Sequence, residues 1–344
     1  MLISRLLITG GSGFIGTNAV QFALDHGIPV CSLDIRPPRN ACHAPVWRSG
    51  DLLDFPALRA AIEEFRPTHV LHLGARTDLR ETGDPEGYAA NTRGVRNLAE
   101  ALAGTPDCAR VVYASSMLVC RNGYRPHGPA DYCPDTLYGA SKVEGEAIVR
   151  RAGSPFEWCI VRPTSIWGPW FGAPYRNFFE AIARGVYRHP GGVEVIKALG
   201  YVGNTVWQLY RLLDAAAAEI QGGVFYLADY ELLAVRQWAD WIAAALGAPR
   251  IGAVPIPLFR AAALLGDAAQ TLGVRNPPLT SFRLRNMLTP SSFDLSAIEV
   301  VSGPLPYTAR QGVRATAEWL EGLTSSSTVR SYSRRDRRTT QMCR

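Results

Sequence analysis

The sequence predicts an α/β protein built on a doubly wound parallel sheet, followed by a smaller C-terminal lobe. Three observations predict it. In the N-terminal half, apolar β-branched runs alternate with stretches of helical periodicity, the pattern of a parallel sheet covered on both faces. Gly10, Gly13 and Gly16 stand between the first apolar run and the first helical stretch. After Arg162 the alternation stops, and Gly/Pro/aromatic-rich loops take over between short helices.

Taken in order, strands are expected over 5–9, 29–34, 46–50, 69–73, 110–114 and 157–162. Helices are expected between them over 14–26, 55–65, 86–103 and 137–151, giving right-handed β-α-β crossovers. Two later amphipathic stretches, 206–213 and 235–246, read as helices returning to the main domain. The division is then 1–165 for the sheet domain, 166–323 for a mainly substrate-binding lobe, and 324–344 for a tail.

Apolar residues make up 47% of the 344 residues and charged residues 19%, enough for a sizeable core. The net charge of +6 suggests a nucleic-acid partner until it is located. Residues 324–344 hold six Arg against one Asp, while the body holds thirty basic and twenty-nine acidic residues. The tail composition is that of a disordered segment, and no nucleic-acid partner is expected. Seven Cys with no CxxC pair, and no secretory leader before the first strand, read as reduced thiols in a cytoplasmic protein. No metal-ligand spacing occurs, and no apolar run is long enough for membrane insertion.

The run Thr9-Gly10-Gly11-Ser12-Gly13-Phe14-Ile15-Gly16 joins the first strand to the first helix. Gly10 permits a tight turn and Gly13 lets the backbone approach a pyrophosphate. Gly16 lets helix and strand pack closely, and Phe14 and Ile15 open the helix whose N-terminus faces the anion. An ordinary turn is the alternative for such a trio in isolation; its place after an N-terminal strand points to a Rossmann-type dinucleotide site. Asp34 ends the second strand, where a carboxylate accepts from ribose hydroxyls and repels a 2′-phosphate. NAD is favoured over NADP, although Arg36 stands close by. Asp51-Leu52 follows the third strand and suits an adenine, with a plain strand-end acid as the other reading.

Tyr138 and Lys142 lie four apart on one helix face. Tyrosine, with a pKa near 10, is a poor base at neutral pH. A neighbouring ammonium favours the phenolate and can also hold a nicotinamide ribose. Ser116 ends the fifth strand and can hold a substrate oxygen beside the tyrosine. A surface i,i+4 pair is the usual explanation of a lone Tyr-x-x-x-Lys. Against it stands the fact that of 36 basic residues only Lys142 and Lys197 are lysines.

These residues resemble the extended short-chain dehydrogenase/reductases, especially the NAD-dependent epimerase/dehydratase group acting on nucleotide sugars. The resemblance spans roughly residues 3 to 321, through TGGSGFIG at 9–16, Asp34, GDL at 50–52, HLGA at 72–75 and Asn91-x-x-Gly94. It continues through VYASS at 112–116, YGASK at 138–142 and VRPTSIWGP at 161–169. It implies that Ser116, Tyr138 and Lys142 are catalytic, and that Leu73, Gly74, Ala75 and Pro163 line the cofactor. It implies substrate-phosphate contacts by Asn177 and Lys197, completed by Arg283 or Arg285, and a homodimer through the helices over 86–103 and 137–151.

Departures from the family pattern narrow the reading. Met117-Leu118 replace the acidic pair that dehydratases usually carry after the catalytic hydroxyl. Cys120 replaces a usual tyrosine and reads as a buried structural thiol, and Ser165 replaces an asparagine that often contacts substrate phosphates. His69 and His72 read as satisfied strand histidines, and Asp78 and Glu81 as the edge of the site. Trp167, Trp170, Phe171 and Tyr175 either stack on a ring of the substrate or pack the lobe. The leading expectation is an NAD-dependent nucleotide-sugar epimerase working through a transient keto-sugar. The alternative is an NAD-dependent alcohol or ketone oxidoreductase, hydroxysteroid-like, with exchangeable cofactor.

Overall fold

Short apolar runs bounded by turn residues form the strands, and the computed structural model describes them within residues 3–79, 83–274, 277 and 279–323. The first half runs β1 (Leu6–Thr9), α1 (Phe14–Asp25), β2 (Val30–Asp34), β3 (Trp47–Ser49), α2 (Phe55–Phe65) and β4 (His69–His72). It continues with α3 (Arg93–Ala103), β5 (Arg110–Ala114), α4 (Leu137–Arg151) and β6 (Glu157–Pro163). The second half holds β7 (Ser165–Trp167), α5 (Tyr175–Ala183), β8 (His189–Gly191), β9 (Ile196–Lys197), β10 (Leu199–Tyr201), α6 (Val202–Asp214) and α7 (Ala217–Ile220). Then come β11 (Val224–Leu227), β12 (Leu233–Ala234), α8 (Val235–Ala245), β13 (Ala253–Pro255), α9 (Ile256–Thr271), α10 (Ser281–Leu288) and α11 (Ser296–Ser302). A last helix covers 309–323.

Seven parallel strands form the central sheet in the order β11-β6-β5-β4-β1-β2-β3. The chain winds outward from β1 in one direction and from β4 in the other, so the loops leaving these two neighbours part at their C-terminal ends. Such a switch point is where open α/β sheets bind ligands. Alternate residues feed the two faces. Leu6 and Ile8 join the apolar cluster under α1 and α6, whereas Leu7, Val70 and Val111 join the one under α2, α3 and α4.

The structure departs from the sequence expectation in three places. The helix expected over 86–103 is two pieces, a 3-10 turn over Pro85–Asn91 and then α3. The Asn91 side chain bonds both the N–H and the carbonyl of Arg76, which draws that residue out of helical register and breaks the chain at Thr92. The seventh strand, β11, was not expected, because four apolar residues after Gly222-Gly223 carry no period. It returns from the second half to pair with β6. Of the two helices expected on the main domain, α6 does pack on α1 and β5, while α8 packs chiefly on α5. The 324–344 tail and Glu81 lie outside the described residues.

One buried acid ties together elements of the second half. Asp229, just past β11, accepts from the backbone N–H of Tyr201 and from Asn204 Nδ2 at 2.8 Å. Asn204 in turn holds both backbone polar groups of Tyr307. Burial pushes the Asp229 carboxyl up to about 7, although these donors oppose the shift. Since its folded pKa exceeds the unfolded one, its protonated form stabilises the fold fully below the model-peptide range, and this is lost as pH rises through about 7. Thermal midpoints measured from pH 5 to 8 are therefore expected to fall with pH more steeply in the wild type than in Asp229→Asn.

Candidate functional site

The glycine turn comes first along the chain. Gly10 has φ +71°, and a Cβ there would lie 2.6 Å from the Gly74 nitrogen, so only glycine lets the loop after β1 lie against the loop after β4. Gly13 is the N-cap of α1 and makes no side-chain cap bond, and Phe14, Ile15 and the buried Gly16 form the first turn. Free N–H groups of that turn are an anion site. Thr9 reinforces the crossing: its hydroxyl accepts from Gly74 N at 3.2 Å and pairs with His72 Nδ1 at 2.7 Å.

Asp34 sits at the end of β2 with one oxygen on Ser12 N and the other on the N–H of Arg36. Its carboxylate is thereby fixed at the mouth of the glycine turn. Arg39, which the sequence reading passed over, reaches the same place by donating to the carbonyls of Ser12 and Trp170. Leu52 is buried, and its side chain would meet a Cβ on either Gly74 or Gly94, whereas Asp51 is exposed. Leu73, Gly74 and Ala75 leave β4 beside Gly10, and Pro163 ends β6 opposite Leu227 of β11. The residues predicted for a dinucleotide thus share the C-terminal edge of the sheet. The turn without a side-chain cap, with Asp34 beside it, has the donor and acceptor set that NAD requires.

Tyr138 and Lys142 are presented by α4. Thr136 caps this helix by accepting from Gly139 N at 3.0 Å. Gly139 allows close approach, since a Cβ there would come within 2.3 Å of the Leu118 carbonyl. The turn after β5, carrying Ser116, therefore lies against the first turn of α4. The Ser116 Oγ accepts from Leu118 N at 3.1 Å, which fixes the hydroxyl. Burial pushes the Tyr138 phenol up, and the nearby Ser116 hydroxyl opposes part of that shift. Lys142 Nζ donates to the Ala114 carbonyl at 2.6 Å. Burial pushes its ammonium down to about 8, with Glu146 opposing.

Residues to which the sequence reading gave no catalytic role support this triad. Tyr88 is buried 6.1 Å from the Tyr138 ring, and its hydroxyl donates to the Asp78 carbonyl. Asn91 Nδ2 bonds Ser141 Oγ at 2.9 Å and so ties the Arg76 backbone to α4. Glu146, one turn beyond Lys142, takes two 2.8 Å bonds from Arg162 of β6 and one from Tyr132. Burial alone would push the Glu146 carboxyl up, but Arg162 holds it below the usual range. Both members of the pair are buried. A cavity of about 10 Å³ beneath Lys142 is lined by Glu146, His72 and Tyr113, and His72 Nε2 and Tyr113 Oη face no partner among the described residues. The only sequence signal for Glu146 was its i+4 spacing from Lys142, which an exposed helix face would show equally.

The substrate positions are less tightly drawn together. Asn177 is exposed on the first turn of α5. Lys197 of β9 donates to the Asn286 carbonyl of α10 at 2.7 Å, and burial pushes its ammonium down to about 8. Arg283 and Arg285 share α10 with Asn286, and Arg283 directs a guanidinium nitrogen to the Pro277 carbonyl. Asp78 pairs with Arg76 at 2.7 Å at the edge of the site. Among the aromatics, packing accounts for Trp167, buried against Tyr201 and Trp238, and for Phe171, buried against Phe179. Ser165 is buried, and Cys120 is a buried thiol with its pKa raised by burial.

Comparison with known proteins agrees with this geometry. The model of the NAD dependent epimerase/dehydratase family matches residues 6–226. The chain is 25% identical over 326 residues to the N-acetyl-alpha-D-glucosaminyl-diphospho-ditrans,octacis-undecaprenol 4-epimerase of Escherichia coli O157:H7, spanning 92% of this chain and 95% of that one. It is 29% identical to a Mycobacterium tuberculosis 3 beta-hydroxysteroid dehydrogenase/Delta 5-->4-isomerase, over 53% of this chain and 52% of that protein. In fold it is similar to the Thermus thermophilus UDP-glucose 4-epimerase solved with NAD, at a TM-score of 0.70 and 22% identity, over 92% and 99% of the two chains.

Leaving Arg162 buried without its carboxylate should be costly. Glu146→Leu is expected to lower unfolding stability by about 3–5 kcal/mol in denaturant titrations, as for other broken buried pairs. The double variant Glu146→Leu/Arg162→Met should recover much of that loss.

Proposed function

Because the chain belongs to the NAD dependent epimerase/dehydratase family, we propose that it is a nucleotide-sugar epimerase. The observation that carries the reading is the triad geometry: the turn carrying Ser116 lies against the first turn of α4, which presents Tyr138 and a buried Lys142 held on the Ala114 carbonyl, with a glycine turn without a side-chain cap at the same edge of the sheet. The near-full-length epimerase relative, against a half-length match to the steroid enzyme, favours the sugar over the steroid.

Bound NAD would accept a hydride from a sugar carbon and later return one. The chain's own residues then handle the proton and the orientation. Ser116 holds the reacting hydroxyl against the Tyr138 oxygen. Tyr138 as phenolate takes the hydroxyl proton as the carbonyl forms, and gives it back after the keto-sugar turns its other face. Lys142, as ammonium, lowers the cost of that phenolate. The first turn of α1 and Asp34 would hold the cofactor's pyrophosphate and adenosine ribose, and Leu73, Gly74, Ala75 and Pro163 would contact the rest of it. Asn177, Lys197 and Arg283 of the 166–323 lobe meet the substrate diphosphate. Met117-Leu118 offer no acid for elimination of water, which separates this site from dehydratases.

A homodimer through the outer faces of α3 and α4, where Arg96, Glu100 and Glu144 are exposed, completes the proposal. So does a cytoplasmic setting, in keeping with six unpaired cysteines among the described residues.

The reading is tested by the NAD(H) released on heat denaturation of the purified protein. About one equivalent retained through dialysis, with interconversion of UDP-sugars without added cofactor, is expected of internal recycling. An empty protein that reduces added NAD with a sterol or other alcohol would replace it with the oxidoreductase reading. Tyr138→Phe should lower turnover by about 10²–10⁴-fold. In the wild type, turnover should fall as pH rises through about 8, where Lys142 loses its proton.

A further inference from the structure

α9 is amphipathic in the wrong sense for a helix that only packs on its own domain. Its buried residues are Ala263 and Gly266, and it lies so close to the following segment that a Cβ on Gly266 would fall 1.8 Å from the Leu279 carbonyl. On the opposite side, Leu258, Leu265 and Leu272 recur every seven residues, at 60%, 73% and 85% exposure, with Leu264 at 65% beside them. At 100° per residue, the three lie within about 40° of one another around the helix. The small residues therefore face inward and the leucines face out. Phe282 extends the apolar surface onto α10 and is half exposed. Monomeric domains seldom leave so continuous an apolar strip uncovered.

The charges around the strip say what covers it. From 256 to 293 the sequence holds four Arg and one Asp, with no Lys or Glu. Arg260 and Arg285 are exposed, and the Arg285 guanidinium lies 5.9 Å from the Phe282 ring centre. Asp267, the lone acid, accepts from Ser281 N. A second copy of this chain docking here about a two-fold axis would bring two like sets of arginines together. An anionic lipid surface would meet the same arginines with opposite charge while the leucines enter the acyl boundary, the arrangement of an interfacial helix. No helix among the described residues is long and apolar enough to cross a membrane, so the contact is peripheral.

We propose that the α9–α10 face docks this protein on the surface of a bilayer containing anionic lipid. The consequence for the site is direct. α10 gives its Asn286 carbonyl to Lys197 and its Asn286 side chain to Asn122, just beyond the turn after β5. Docking through this face would hold the lobe side of the site near the lipid headgroups. The inference does not depend on which substrate the site turns over.

The test is co-sedimentation of the full chain with phosphatidylcholine vesicles, with and without phosphatidylglycerol. Binding is expected to need the phosphatidylglycerol and to weaken with salt. The double substitution Leu265→Gln/Leu272→Gln, at exposed positions outside the catalytic site, should reduce partitioning by at least about tenfold with an unchanged thermal midpoint. A wild type that stays in the supernatant overturns the proposal. So does undiminished binding of the double variant, which would move the contact elsewhere, the Arg-rich 324–344 segment included. A concentration-dependent dimer that Leu265→Gln/Leu272→Gln dissolves, without vesicle binding, would assign the face to a second copy instead.

Discussion

The site depends on the contact between α4 and β6 made by Glu146 and Arg162. Tyr138, Lys142 and Glu146 stand at successive i+4 positions, so one helix face carries the acid/base, its ammonium partner and the anchor. Arg162 grips Glu146 with two nitrogens, donates to the Pro129 carbonyl and to Tyr226, and lies over the rings of Tyr132 and Tyr226. Four of the five guanidinium N–H groups are thereby used. A buried ion pair gains little over well-packed apolar residues, so stability alone does not account for it. Its geometry does something an apolar contact would not: it fixes the rotation of α4 about its own axis, and with it the direction of Tyr138 and Lys142.

The same pair sets the electrostatics. Burial disfavours the charged form of Lys142 and leaves it at about 8. Without a nearby anion the shift would be larger. Glu146 offsets part of the burial because Arg162 keeps it ionised, so the arginine acts on Lys142 through the glutamate. On the other side, His72 is buried and pushed down to about 3, first by desolvation and then by the Lys142 charge. It therefore stands neutral and adds no competing cation.

The parts of this arrangement that the sequence made legible are those with a period or a spacing. Six strands and three of the four helices between them follow from alternation, to within a residue or two at their ends. The glycine turn, Asp34 and the Tyr138–Lys142 pair follow from motifs whose chemistry demands their spacing. What stayed hidden depends on tertiary contact. Asn91 bends the expected 86–103 helix because Arg76, fifteen residues earlier, takes its side chain, and no local propensity encodes that. β11 becomes a strand because β6 offers an unpaired edge. Glu146 and Arg162 looked like ordinary charged residues until the fold buried both. Trp167 and Phe171, open to two readings in the sequence, became core once Trp238 and Trp319 arrived from far along the chain.

The two lysines show how composition can mark a site that a motif alone leaves open. Thirty-four of the thirty-six basic residues are arginine, and arginine keeps its charge under almost any burial. Both lysines occupy places where burial pushes an ammonium to about 8, one behind the catalytic tyrosine and one between β9 and α10. At both places the compact head reaches a single backbone carbonyl, of Ala114 or of Asn286. A planar guanidinium there would leave several donors without acceptors. The shape of each niche thus selects the compact ammonium, and a chain otherwise written in arginine keeps lysine at both.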